Sequence, residues 1–279
     1  MSAAGGIARL SLNQATVRQW SLPELVDGCA AAGVPAVGLW REPVARCGLD
    51  RAAKLVRDAG LAVTSLCRGG FFTATDPAGR RAALDDNRRA IGEAAVLGAP
   101  VLALVAGGLP DSDRDLDGAR QRVVEALAEL APHAAEHGVR LALEPLHPMF
   151  CSDRCVIVTL ERALAIAERF PASQVGVMVD TYHVWWDPDV YVQIARAGER
   201  IAGFQASDWV TPLPHGALVG RGMLGAGCIE LRRLRDAVDA AGFKGMVEVE
   251  LFNDQLWAMP GRALLDLVVA RYREHLPEG

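Results

Sequence analysis

At 279 residues the chain has room for two small domains or one large barrel, and composition alone does not choose between them. It is 51% hydrophobic and 23% charged, yet no apolar run approaches the length a bilayer helix needs, so a soluble protein with no membrane partner is expected. A formal net charge of -5, with arginines scattered along helical patterns and no basic stripe, weighs against a nucleic-acid partner.

Met1 to Gly6 lacks the basic start and apolar core of a secretory leader, which points to the cytoplasm. The six cysteines (Cys29, Cys47, Cys67, Cys151, Cys155 and Cys228) are dispersed through a large apolar chain that needs no disulfide support, so reduced thiols are expected. Cys151 and Cys155 stand four apart without a second pair at zinc-finger spacing.

In chain order, one unit repeats eight times: a short Val/Leu/Ala run, a polar break, an Ala/Leu/Arg-rich helical pattern, then a glycine. The apolar runs are Ile7 to Leu12, Ala36 to Trp40, Leu61 to Leu66, Val101 to Val105, Val139 to Glu144, Val175 to Asp180, Ile201 to Ser207 and Met246 to Leu251. Helical patterns fall near Leu22 to Ala32, Asp50 to Ala59, Arg80 to Leu97, Gly118 to His137, Thr159 to Phe170, Pro188 to Ala197, Ile229 to Ala241 and Gly261 to Glu274. Gly33, Gly60, Gly98, Gly138 and Gly242 stop five of these helices just before the next strand. Strict alternation implies parallel pairing, and eight units in this length fit a single closed (β/α)8 TIM barrel over residues 1–279. A doubly wound sheet is the alternative, but no Gly-x-Gly-x-x-Gly follows the first strand.

Strand parity then orients the side chains. With Leu141 and Leu143 facing the helices, Ala142 and Glu144 turn into the lumen. Val175, Val177 and Val179 leave Gly176, Met178 and Asp180 inward; Val247, Val249 and Leu251 leave Glu248 and Glu250 inward. Glu144, Asp180 and Glu250 therefore meet at the carboxyl ends of strands five, six and eight. Three converging carboxylates repel one another unless protons or a cation neutralise them, and a divalent metal is the natural neutraliser. Trp40 ends the second run facing inward and Trp185-Trp186 follow His183. Aromatic walls of this kind suit the apolar faces of a ring substrate, with Trp40 and Trp185 the candidates and Trp186 and Trp209 undecided. His133 and His137, four apart near a helix end, read as solvated residues of a last turn.

The motifs Glu144-Pro145-Leu146-His147, Asp180-Thr181-Tyr182-His183, Gln205-Ala206-Ser207-Asp208, Arg221-Gly222 with Gly225-Ala226-Gly227, and Glu250-Leu251-Phe252 together resemble the xylose-isomerase-like TIM-barrel superfamily of sugar phosphate isomerases and epimerases. That superfamily includes ketose 3-epimerases and inosose isomerases and dehydratases. The resemblance spans nearly the whole chain and implies one Mn2+ or Mg2+ ion held by Glu144, Asp180, the residue at 205 and Glu250. It also implies a small-molecule sugar, sugar phosphate or cyclitol as partner. Where the family usually has His-x-x-Asp, this chain has Gln205 to Asp208, so an amide replaces the nitrogen ligand. An all-oxygen set suits a hard cation, and the site either works with an unusual fourth ligand or has altered its metal chemistry.

By the same resemblance Glu144 and Glu250 are the acid/base pair that moves a proton next to a carbonyl through an enediolate. His183, His147 and Arg221 face the substrate, and Asp208 orients the region behind the ligands. A lyase or dehydratase sharing the same enolate, and a non-catalytic sugar-binding barrel with a degenerate metal site, are the alternatives. The histidines of an endonuclease IV zinc cluster are missing at Cys67-Arg68, Val105-Ala106 and Leu218 to Arg221. No Lys/Arg cluster beyond Arg221 marks a phosphate pocket, and a homo-oligomer is left open.

Overall fold

The computed structural model describes residues 6–277 apart from 112, 214 and 215; Met1 to Gly5, read above for a leader, lie outside the described residues. The described residues form ten strands: β1 (Leu10–Asn13), β2 (Ala36–Trp40), β3 (Ala62–Gly70), β4 (Val101–Val105), β5 (Arg140–Leu143), β6 (Val175–Asp180), β7 (Ile201–Ala206), β8 (Asp208–Trp209), β9 (Arg221–Gly222) and β10 (Val247–Val249). Eight of them close in the order β1-β10-β7-β6-β5-β4-β3-β2, every neighbour parallel, with helices in the connections. Closure through the β1–β10 pair disposes of the doubly wound alternative, which would leave two open edges.

Local chemistry explains the alternation. Ser21 and Glu24 form a capping box at the start of the helix Leu22–Ala32, and that helix stops at Gly33 in the left-handed region (φ 68°). Asp76 caps Pro77–Leu97 through the Gly79 N–H, and Gly98 (φ 69°) ends it. Outward strand residues such as Leu10, Leu12, Leu102, Leu104, Leu141 and Leu143 are fully buried beneath the helices. Each such side chain contributes roughly 1.5–3 kcal/mol of transfer free energy.

Three features depart from the sequence expectation. A helix at Arg41–Cys47 follows β2 directly, where a polar break was expected. β3 runs four residues beyond Leu66, because a register shift between Cys67 and Gly69 keeps it paired with β4 as far as Val105. β8 and β9 pair antiparallel above the barrel, a two-residue ladder too short to leave a periodic signal. The cysteines are free, as expected.

The lumen has two levels. Cys67, Val101, Ala103, Ala142 and Met178 form a small apolar plug. Glycines make room beside it. A Cβ at Gly38 would fall 2.5 Å from the Glu248 carboxylate, and one at Gly203 would fall 2.5 Å from the Met178 sulfur. The inward parity of strands β2 and β7 thus admits a buried carboxylate and a thioether that any larger residue would expel.

Candidate active site

β5 and β10 each stop one residue short of an acid, yet the ladder continues through it. The Glu144 N–H donates to Leu104 O at 3.0 Å and the Glu250 N–H to Ala206 O at 3.2 Å. Asp180 is the last residue of β6, and its Oδ1 accepts the Tyr182 N–H at 2.9 Å. Backbone bonds therefore place three carboxylates at the C-terminal mouth, with Glu144 6%, Asp180 0% and Glu250 3% exposed, too little water to solvate three negative charges.

Arg221, carried by β9, supplies the counter-charge. Its Nη1 donates to Asp180 Oδ2 at 2.7 Å and lies 3.2 Å from Glu250 Oε2. The guanidinium is bracketed by the Tyr182 and Phe252 rings, 5.0 and 5.2 Å from their centroids. β9 itself is fastened by Arg221 N–H to Phe252 O and by Asn253 Nδ2 to Arg221 O. Asp208 accepts the N–H groups of Trp209, Gly227 and Ile229, which shapes the turn following Arg221.

The charges are unequally balanced. Burial, then Asp180 and Glu250, push the Glu144 carboxyl well above the usual carboxylate range. Burial lifts Glu250 to about 8 against the opposing pull of Arg221, and burial raises Asp180 likewise. For Arg221 burial works downward, but Asp180, Glu250 and Glu144 outweigh it and hold the guanidinium charged. Glu250 thus exchanges its proton not far from neutral pH, and Glu144 and Asp180 hold theirs more firmly than an ordinary carboxyl does, a tuning suited to acid/base work.

His183 is neutral: burial, aided by Arg221 and His147, holds it well below its ordinary value. Its Nδ1 accepts the His147 backbone N–H at 3.1 Å, which assigns the ring proton to Nε2. That Nε2–H lies 3.8 Å from both Glu144 Oε1 and Asp180 Oδ2, and 3.1 Å from Arg221 Nη2. Two N–H groups therefore face each other, and an acceptor oxygen beside them would satisfy both. With its proton there, Nε2 has no lone pair to offer a metal.

These groups open into a cavity of about 160 Å³. Of the residues singled out from sequence, Glu144, Glu250, His183, Arg221 and Trp40 line it. Trp40 is held by an Nε1 bond to Asn13 Oδ1 at 2.8 Å. His147 and Trp185 do not line it: the His147 ring packs on Trp209 and Trp186, and Trp185 packs on Trp209. His147 reaches the site only through its backbone N–H. The sequence reading missed Cys67, Phe150, Tyr182 and Phe252 in the wall, because loop and strand-end positions carry no periodic signal. No Lys/Arg cluster beyond Arg221 stands out in the sequence, but the fold brings Arg68 and Arg154 to the same cavity. They lie 86 residues apart in sequence and converge only through the closure of the barrel.

Gln205 lies lower. It pairs in register with Asp180 on one side and Glu248 on the other, and its Nε2 donates to Glu248 Oε1 at 2.9 Å. Its Oε1 is buried without a hydrogen-bond partner. Glu144 and Asp180 each bring a carboxylate oxygen within 4.8 Å of the other and of a His183 ring nitrogen, and Cys67, Glu248 and Glu250 form a second such group. The Glu144, Asp180 and Glu250 carboxylates and the unpartnered Gln205 Oε1 are all oxygen donors, a chemistry that fits a hard divalent cation.

A family model described as a xylose isomerase-like TIM barrel matches residues 26–274. An inosose isomerase of Bacillus subtilis (strain 168) is 29% identical over 140 residues, 49% of this chain and 48% of that protein. The chain thus aligns with about half the length of this curated relative. A crystal structure of a protein from Sinorhizobium meliloti 1021 superposes with a TM-score of 0.95 at 48% identity, covering 98% of this chain and 100% of that one. The IolI protein with a binding zinc atom superposes at 0.83 with 21% identity, over 96% and 98% of the two chains, a likeness of fold.

Proposed function

From the chain's membership of the xylose isomerase-like TIM barrel family, we propose that it is a divalent-metal-dependent isomerase or epimerase of a sugar or cyclitol, moving a proton on the carbon next to a carbonyl. The observation that carries this reading is the pair Glu144 and Glu250, two buried carboxyls with raised proton affinity that enter one cavity from β5 and β10. Relatives named inosose isomerase agree with it.

Glu144, Asp180, Gln205 and Glu250 would hold the cation, Mg2+ or Mn2+ by the hardness of four oxygen donors. When bound, it supplies Lewis acidity toward the substrate carbonyl. The protein's own part is to move and orient. One of Glu144 and Glu250 removes the proton and the other returns one. His183 donates its Nε2–H to a substrate oxygen, with Arg221 as second donor to the same region. Trp40, Phe150 and Phe252 exclude water from the carbanionic carbon.

A panel of ketohexoses and inososes, incubated with the Mn2+- or Mg2+-loaded protein in D2O, tests the reading. Deuterium should appear at the carbon beside the carbonyl for at least one of them; product without deuterium, or no exchange across the panel, overturns it.

A further inference from the structure

The cavity has an acidic floor and a basic rim. Its floor is Glu144 and Glu250; its wall also carries Arg68 and Arg154, both half-buried. Comparably covered arginines elsewhere find acceptors among the described residues: backbone carbonyls for Arg140 and Arg200, carboxylates for Arg41 and Arg122. Arg41 is clasped by Asp86 at 2.8 Å and Glu93 at 2.6 Å, and Arg122 by Asp113 at 2.9 Å and the Thr73 carbonyl. The two rim arginines are not. Arg68 makes no hydrogen bond or ion pair among the described residues. Its guanidinium lies over the Phe71 ring, 4.8 Å from the centroid, and 5.8 Å from that of Trp40. Arg154 has only its neighbour Asp153, at 3.7 Å and itself largely exposed.

Covering a guanidinium without an acceptor costs free energy, and stacking on two rings fixes its plane without using its N–H groups. Those groups remain free for a ligand that brings oxygens of its own. Leu146, Phe150 and Leu218 form apolar wall around them, which strengthens any charge pair made there. A neutral polyol would lie against both cations and neutralise neither.

We propose that Arg68 and Arg154 form an oxyanion subsite, so that the substrate is a ketone bearing a carboxylate or a phosphate monoester away from its reacting carbons. This rests on the isomerase reading for the identity of the reacting end, though the anion subsite is testable without it.

Two measurements separate these claims. In D2O exchange, a ketohexose or inosose is compared with its phosphate monoester and with a keto-acid analogue of the same size. The anionic members should be turned over with kcat/KM at least tenfold above the neutral one. Arg68→Gln and Arg154→Gln should each raise KM for them about tenfold or more, as expected for a charge-assisted contact, a markedly larger loss than either causes on the neutral ketone, with Lys restoring part of it. Preference for phosphate or for carboxylate identifies the anion. Faster turnover of the neutral ketone, or an equal loss on neutral and anionic substrates, overturns the subsite. Separately, calorimetric titration of the wild-type protein with inorganic phosphate and with malonate should show binding that either substitution weakens. If this binding is found and no ketone exchanges, the isomerase reading fails and the subsite stands; if neither anion binds and no ketone exchanges, both fail.

Discussion

Glu248 and Glu250 stand two residues apart on one strand edge, share inward parity and are each 3% exposed, yet the barrel treats them differently. Glu248 is surrounded by neutral donors. Asn13 Nδ2 at 2.6 Å and Gln205 Nε2 at 2.9 Å share one oxygen, while Ser65 Oγ at 2.9 Å and the Thr64 hydroxyl share the other. Glu250 sees acids and two arginines, Arg221 first and Arg68 more weakly. A carboxyl whose oxygens are filled by fixed neutral donors is a structural group, costly to alter and with no acceptor site left for chemistry. One whose company is Arg221, Asp180 and Glu144 keeps its proton affinity near neutrality and can exchange partners. The lower cluster also serves the upper one, since Asn13 joins Glu248 to the wall residue Trp40.

Exchanging each acid for its amide should separate the two roles. Glu250→Gln should lower deuterium exchange by about 10²- to 10⁴-fold with little loss of stability, as for removal of a general base. Glu248→Gln should do the reverse. It turns a filled acceptor into a group that also donates toward Asn13 or Gln205, costing about 1.5–3 kcal/mol and lowering Tm by roughly 3–10 °C. Exchange should persist within about tenfold, the scale of an indirect loss through Trp40. A stable Glu248→Gln protein without exchange would break the comparison, because Glu248 would then belong to the chemistry.

Much of this was legible beforehand. Eight strand–helix units, the closed barrel and the inward parity of Glu144, Asp180 and Glu250 follow from apolar alternation, which is a local property. The level of a residue along the lumen is not local. Parity alone places Glu248 and Glu250 alike, and only the stagger of neighbouring strands sets Gln205 beside Glu248. Arg68 and Arg154 escaped for a related reason: one ends a strand and the other sits in a loop, and nothing in either neighbourhood announces that they share a cavity. The His147 ring, read as facing the substrate, lies outside the cavity, while its backbone amide bonds His183, a distinction sequence does not carry.

Arg221 is where the upper cluster can next be tested. A divalent cation held by Asp180 and Glu250 would compete with it for those carboxylates. In Arg221→Gln the acids lose that counter-charge, so Mn2+ affinity measured by calorimetry on metal-free protein should rise about tenfold, the size of one charge-assisted contact of about 1.5 kcal/mol. Unchanged or weaker affinity would mean that the guanidinium and the cation do not share ligands.

The smallest expected effect falls on Gln205, the residue that joins the two levels. Its Nε2 is committed to Glu248, leaving only the unpartnered Oε1 for a cation. An amide oxygen is a weaker donor than an imidazole nitrogen toward first-row divalent ions, most of all toward Zn2+. In Gln205→His one ring nitrogen can keep the Glu248 bond as N–H while the other presents a lone pair, the arrangement that fixes a metal-binding tautomer. Affinity should therefore rise by about tenfold for Zn2+ and by less for Mg2+, on the same apo-protein titration. If neither ion gains, Gln205 belongs wholly to the Glu248 network, and the cation must be held by the three carboxylates without it.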